Sequence, residues 1–316
     1  MVNRRILAIG GFDLFHVGHL RYLQWARQQG THLTVAVAPD AMCVAIKARV
    51  PVISEAHRLE VVRGLQCVDE ALRQPVSTIY ADEAAGWMAE WGIDHVVDGG
   101  GWSGSARWAR LTLALARHGI SVSFAPATEG VSTSQLIDFV RHGGERPEGG
   151  VSLAVPPQLP VGNRQRSSDE RPRRKVLALG VFDLFHVGHL RYLQQARALG
   201  DYLLVGVAPD AMCQASKGKC PVTPQPHRRE IVTALQCVDE VQFVPTPIIQ
   251  TEATAAWISA CGVQVVACGN QWQGSERWGR LEASLALQGI EVVYLPQTDG
   301  LSSTRILQRI AARINQ

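Results

Sequence analysis

At 316 residues, with 46% hydrophobic and 19% charged side chains, the chain has the length of two ordinary domains and the composition of a globular protein. A formal net charge of +3 is too small to argue for nucleic acid or an acidic membrane surface as a partner. No apolar run reaches the roughly 18 residues that a bilayer-spanning helix needs, so membrane insertion is not expected either.

Met1-Val2-Asn3-Arg4-Arg5 leads into a strand with no signal-peptide cleavage pattern. The seven cysteines include no Cys-x-x-Cys pair, and Cys43, Cys67, Cys213 and Cys237 stand in apolar surroundings. Buried, reduced thiols in a cytoplasmic protein are expected, rather than disulfides or zinc.

The chain repeats itself. Adding 170 to a residue number in the first half gives its partner in the second, without a gap from about residue 5 to residue 141. Phe12-Asp13-Leu14-Phe15-His16-Val17-Gly18-His19 recurs letter for letter from Phe182 to His189. A period this long is a duplicated domain, not a solenoid. The expected organisation is one domain over residues 1–142, an irregular linker rich in Pro, Gly, Ser and Arg over 143–174, and a second domain over 175–316.

Taken in order, residues 6–10 read as a strand buried on both faces, followed by a helix over 18–29 that stops at Gly30. A second strand covers 32–38, and Pro39-Asp40 opens a short helical or loop segment through Lys47. A helix over 55–65, a short strand within 68–74 and a helix over 83–91 follow. A strand over 95–98, a helix over 105–118, a strand over 121–125 and a helix over 132–142 complete the copy. This alternation predicts two tandem Rossmann-like α/β domains, each a parallel sheet flanked by helices. Ligands in such folds gather at the carboxyl ends of the strands, where the first turn falls.

That turn carries the chemistry. His16 and His19 lie three apart at a helix start, so both can face one ligand. The unpaired N–H groups there carry the positive end of the helix dipole and favour an anion. Gly18 removes a side chain that would obstruct approach, and two imidazoles can meet charge that grows on phosphoryl oxygens. A helix start with two structural histidines is the plainer alternative, weakened by the identical turn in the second half.

Gly-x-Phe-Asp-x-x-His-x-Gly-His opening a parallel α/β domain resembles the cytidylyltransferase branch of the nucleotidylyltransferases, across nearly all of both repeats. The tandem arrangement is similar to that of the ethanolamine-phosphate enzymes, and a single copy to the glycerol-3-phosphate enzymes. Lys217-Gly218-Lys219-Cys220-Pro221-Val222, with Arg228 downstream, resembles the family's lysine segment. Thr298-Asp299-Gly300-Leu301-Ser302-Ser303-Thr304 resembles its triphosphate-holding helix start, and Gly269-Asn270 its turn near base and ribose. The first-half matches are Lys47, Arg58, Gly99, and Gly130 with Ser132, Thr133 and Ser134.

The resemblance implies that His16, His19 and Lys47, and likewise His186, His189 and Lys217, are catalytic. It implies nucleotide contacts for Gly10, Gly11, Phe12, Asp13, Arg58, Gly99, Gly130, Ser132, Thr133 and Ser134, and for Gly180, Val181, Phe182, Asp183, Arg228, Gly269, Asn270, Gly300, Ser302, Ser303 and Thr304. Asp13 and Asp183 have a structural alternative, an Asx-type bond. Trp102 and Trp272 are expected to pack at the pocket edge, and Trp87, Trp108, Trp257 and Trp278 in the core. The substrates would be CTP, or ATP, and a small phosphorylated molecule. Magnesium would travel with the triphosphate, with no metal site in the protein itself.

The sequence also departs from the family. Ala127 and Gln297 stand where the family has an arginine, and the first copy has Lys47-Ala48-Arg49 for Lys-Gly-Lys. The second copy is therefore the expected catalytic domain. The first is active, uses another substrate, or is a degenerate partner in an internal pseudo-dimer, with further homo-oligomerisation open. Two other readings stand beside the leading one: an ATP-using transferase of the heptose-phosphate type, or one acting on a phosphonate or sugar phosphate, and a nucleotide-binding scaffold with relic sites.

Overall fold

Ile6, Leu7 and Ala8 are each 0% exposed, which is what an unbroken apolar run predicts for a strand covered on both faces. In the computed structural model, which describes residues 3–101, 103–143 and 174–312, this run lies in β1 (Arg5–Gly10). The expected linker falls outside the described residues, apart from Gly143 and Arg174, as does Trp102.

The first unit continues with α1 (Val17–Gln28), β2 (His32–Val37), α2 (Asp40–Lys47), α3 (Glu55–Arg63), β3 (Glu70–Arg73) and α4 (Ala81–Glu90). It ends with β4 (His95–Asp98), α5 (Ala106–Arg117), β5 (Ser121–Phe124) and α6 (Thr133–Arg141). All strand pairs are parallel, in the order β3-β2-β1-β4-β5. The segment after Pro39, open between helix and loop in the sequence, is a helix.

Leu7, Ala36 and Val96 meet Trp87 and Met88 of α4 and Trp108, Leu111 and Leu115 of α5 in one cluster. Strand alternation then turns Ile6 and Ala8 to the opposite face, where α1 and α3 pack on β1, β2 and β3. The two helix layers thus leave the sheet from opposite sides between β1 and β4. That switch point opens a crevice at the strands' carboxyl ends.

The second unit repeats the design: β6 (Lys175–Gly180), α7 (Val187–Ala198), β7 (Tyr202–Val207), α8 (Asp210–Lys217), α9 (Gln225–Thr233), β8 (Glu240–Phe243) and α10 (Thr251–Ala260). Next come β9 (Val265–Gly269), α11 (Glu276–Ala286), β10 (Glu291–Leu295) and α12 (Ser303–Ala312), with sheet order β10-β9-β6-β7-β8. A 3-10 turn over Asn270–Trp272 has no counterpart in the sequence reading. Trp278 is core, and Trp257 and Trp272 pack against the same cluster. No helix among the described residues is long and apolar enough to cross a membrane.

Candidate functional site

Between β1 and α1 the backbone holds Phe12 at φ 51° and Leu14 at φ 47°; Phe182 and Leu184 repeat this at 57° and 46°. Side chains rarely adopt this region, at a cost on the order of 1–3 kcal/mol each, so the surroundings must over-determine the turn. Phe12 is 2% exposed, stacks on Tyr22 at 6.2 Å between ring centroids, and meets His19 edge-on at 5.4 Å. A Cβ on Gly10 would stand 2.8 Å from Cζ of Phe12. Gly10, and Gly180 by the same contact at 2.6 Å, therefore makes room for this ring.

Tyr22, absent from the sequence reading as a site residue, ties the crevice together. Its hydroxyl donates to the carbonyl of Val97 at 2.7 Å and accepts from the amide of Ile9 at 3.0 Å, bridging β4 and β1.

Asp13 takes its structural alternative. Its carboxylate accepts from the amides of Val52 at 2.8 Å, Ile53 at 2.9 Å and Leu14 at 3.1 Å. Asp183 does the same with Val222, Thr223 and Leu184. The aspartate fastens the segment after the lysine to the turn, and Asp13 also lines the cleft of the first unit.

Arg58 and Arg228 are bound into the loops around the turn. They are 1% and 0% exposed, and their donors serve protein acceptors. Arg58 bonds the carbonyls of Ile53, Gly11 and Ala38 and stands 2.5 Å from Oδ1 of Asp40. Arg228 bonds the carbonyls of Thr223, Val181 and Ala208 and Oδ1 of Asp210. A guanidinium committed this way shapes the loop around the turn.

Of the histidines, His19 lines the cleft, while His16 and His186 are buried. His16 is the residue before α1, and its ring stacks on His19 with centroids 3.8 Å apart and planes at 20°. His186 and His189 stack at 3.9 Å and 22°. A Cβ at Gly18 would come 3.0 Å from the His16 ring, so glycine lets that ring fold back over the helix start. His186 Nδ1 accepts from the amide of Gly188 at 3.1 Å, which fixes its tautomer.

The Nδ1 atoms of His19 and His189 are buried and have no hydrogen-bond partner among the described residues. Loss of solvent, then the neighbouring His16 and Lys47, hold His19 well below the usual imidazole range. Loss of solvent and His186 do so for His189. The free site therefore presents neutral rings that an approaching polyanion would draw toward protonation.

Lys47 ends α2 and lines the cleft, and Lys217 ends α8 with its side chain exposed. The next residue is left-handed in both copies: Gly218 at φ 68°, but Ala48 at φ 52°. One cleft is lined by Gly11, Phe12, Asp13, His19, Lys47 and Thr133, together with Cys43, Arg49 and Pro51, of which the cysteine, arginine and proline had not been read as site residues. The structure thus gathers lysine, histidine and helix start.

That helix start is α6. Ser132 caps it, accepting from the Gln135 amide at 3.1 Å, and Thr133 Oγ1 donates to the Asp13 carbonyl at 3.0 Å. Ser302 and Ser303 match them, with Ser303 Oγ 2.7 Å from the Asp183 carbonyl. Gly130 and Gly300, at φ 71° and 74°, turn the chain into this start, and Ser134 and Thr304 are exposed on its first turn. Two helix N-termini therefore converge on the turn, both electropositive. Gly99 and Gly269 lie at the ends of β4 and β9, and Asn270 opens the 3-10 turn beyond.

Residues 7–139 and 177–309 each match the family model described as Cytidylyltransferase-like. The chain belongs to the cytidylyltransferase-like family of nucleotidyltransferases. It is 30% identical to the ethanolamine-phosphate cytidylyltransferase of Dictyostelium discoideum, covering 97% of this chain and 90% of that one. A single copy is similar to the glycerol-3-phosphate cytidylyltransferase of Bacillus spizizenii, at 33% identity over 44% of this chain and 98% of the relative. The FAD synthase of Thermococcus onnurineus is 39% identical over 45% of this chain and 93% of its own length.

The two cytidylyltransferase-like copies differ beyond the lysine segment. Asp98, the last residue of β4, is 6% exposed, while its partner Cys268 is a buried thiol within the apolar cluster. Arg277 lies over the Trp272 ring at 4.9 Å in the second copy.

Proposed function

We propose that the second domain transfers CMP from CTP to a small phosphorylated alcohol and releases pyrophosphate. The observation that carries this is the stacked His186–His189 pair at the start of α7, with the α12 start fastened to the same turn through Ser303 and Asp183. Such an arrangement suits a triphosphate whose charge shifts as a bond breaks.

A phosphate oxygen of the acceptor attacks the α-phosphorus. The new P–O bond forms as the bond to the β-phosphate's bridging oxygen breaks, and pyrophosphate leaves with that electron pair. No proton need leave an already ionised acceptor oxygen. His186 and His189 donate to phosphoryl oxygens, Lys217 draws acceptor and nucleotide phosphates together, and the amides and hydroxyls at Ser302, Ser303 and Thr304 hold the triphosphate.

Among the described residues no three His, Cys, Asp or Glu side chains cluster as a metal site, and the Asp183 carboxylate is taken by amides. Magnesium fits this site as part of the substrate, bound to the triphosphate. CTP is favoured over ATP by relatives whose names carry CTP chemistry along the whole tandem chain, while the FAD synthases match one copy. Pyrophosphate release with each nucleoside triphosphate, against ethanolamine phosphate and other phosphorylated alcohols, tests the reading.

A further inference from the structure

Arg305 is the third residue of α12, the helix whose start Ser303 fastens to the Asp183 carbonyl. A helical side chain leans toward the amino end of its helix. This one folds back over the turn that precedes the helix: a Cβ on Gly300 would stand 3.7 Å from Nη1 of Arg305. The same turn packs on the histidine motif, since a Cβ on Gly188 would stand 3.7 Å from Cβ of Thr298. The guanidinium therefore lies on a short segment that itself rests against the glycine between His186 and His189.

No described residue accounts for a cation there. The Arg305 side chain is exposed and makes no hydrogen bond or ion pair among the described residues, Asp299 of the adjoining turn included. Only its backbone amide is used, donating to the Ser302 hydroxyl at 3.2 Å. A positive side chain at the amino end of a helix meets the positive pole of the dipole, which disfavours it unless an anion is present. Arg309, one turn on and also exposed, adds a like charge. The first copy has no such conflict. Gln135 holds the equivalent place, keeps the same amide-to-serine cap at 3.1 Å and carries no charge. The cap is thus common to both copies, and the cation belongs to the second alone.

An anion with several oxygens resolves the conflict. A guanidinium presents its donors as a planar fork that matches two phosphoryl oxygens at once. The transfer reaction sets the histidines and Lys217 about the attacked α-phosphorus, which leaves the β- and γ-phosphates to the α12 start. We propose that Arg305 binds the part of the triphosphate that leaves as pyrophosphate, and so strengthens the second domain's hold on its nucleotide. This rests on the reading of the second domain as a nucleotidyl-transfer site.

The experiment uses the full chain carrying His16→Ala and His19→Ala, so that turnover and binding report chiefly on the second domain. Pyrophosphate release with CTP and ethanolamine phosphate compares this parent with Arg305→Gln, the residue of the first copy, and with Arg305→Lys. Hydrogen bonds to a charged group are worth roughly tenfold in affinity, so Arg305→Gln should raise KM for CTP about tenfold and leave kcat and KM for ethanolamine phosphate within about twofold. Arg305→Lys, which keeps the charge without the fork, should recover part of the loss. Isothermal titration should show Arg305→Gln binding pyrophosphate more weakly by a similar factor, with CMP, which lacks the two outer phosphates, unaffected. The thermal transition of Arg305→Gln should lie at or above that of the parent, because the conflict with the dipole is gone.

An unchanged KM for CTP, equal weakening of CMP and pyrophosphate, or a loss of stability in Arg305→Gln would overturn the proposal. A parent without turnover would overturn the transfer reading instead. Titration with pyrophosphate alone then decides the role of Arg305: weaker binding in Arg305→Gln upholds it, and equal or absent binding overturns it.

Discussion

Arg228 Nη2 stands 2.6 Å from Oδ1 of Asp210, on a side chain that is 0% exposed. With three carbonyls also bonded, this pair joins the end of β7, the turn after β6 and the start of α9. Removing one partner of such a pair leaves a buried charge uncompensated. Arg228→Met, which removes the cation, is therefore expected to destabilise the second domain by about 3 kcal/mol or more. Urea unfolding followed by tryptophan fluorescence checks this. A variant of unchanged stability with only a raised KM for nucleotide would instead make the arginine a phosphate ligand.

The left-handed residue after each lysine gives a mirrored pair. Ala48, at φ 52°, carries a strain of roughly 1–2 kcal/mol that Gly218, at φ 68°, avoids. Ala48→Gly should stabilise the first domain by up to about 1 kcal/mol, after the added freedom of the unfolded chain is deducted, and Gly218→Ala should destabilise the second by a similar amount. Thermal unfolding of the two variants with shifts of equal sign would contradict this.

Burial pushes the Asp98 carboxyl up to about 6, and bonds from Gly99 and Gly100, with Arg107 and Lys47 nearby, only partly offset it. The folded-state value lies above that of the unfolded chain, so the folded protein holds this proton more tightly. This group's contribution to stability falls as pH rises from about 4 to about 6 and stays low above that. A shift of about two units corresponds to roughly 3 kcal/mol. Asp98→Asn should remove that slope, seen as a difference between variant and wild-type unfolding curves that grows from pH 4 to pH 6.

The fold was legible because its signals are local. The β1 run, the repeat offset and the serine before α6 each announce their element within a few residues. The histidine pair and Lys47 were legible through the motif. The roles of Asp13, Arg58 and Gly10 were not. The carboxylate of Asp13 bonds amides about forty positions later in the chain, the guanidinium of Arg58 reaches Gly11, and Gly10 answers to a ring two residues on whose φ no pattern announces. An arginine beside a phosphate motif looks the same in sequence whether it faces ligand or backbone. Asp98 escaped because only burial reveals its unpartnered oxygen.

His189 is held well below its usual range by loss of solvent and by His186, so the free folded state resists protonation. Its stabilising contribution is complete above the unfolded value near 6.5 and declines as pH falls below it. A bound triphosphate would reverse the local field, so binding is expected to draw a proton onto His189. Nucleotide affinity should rise as pH falls from 8 to 6, by up to roughly tenfold per unit for each proton taken up. Titrations in buffers of different ionisation enthalpy read that uptake directly. Equal pH profiles for wild type and His186→Asn/His189→Asn would contradict it.

The central claim is nucleotidyl transfer at the second domain's turn. It is tested most directly by pyrophosphate release with CTP and ethanolamine phosphate, in wild type and in His186→Ala/His189→Ala. The account predicts turnover with CTP that falls about a hundredfold or more when the second-domain pair is removed. Turnover with ATP alone, or a rate indifferent to these histidines, would contradict it.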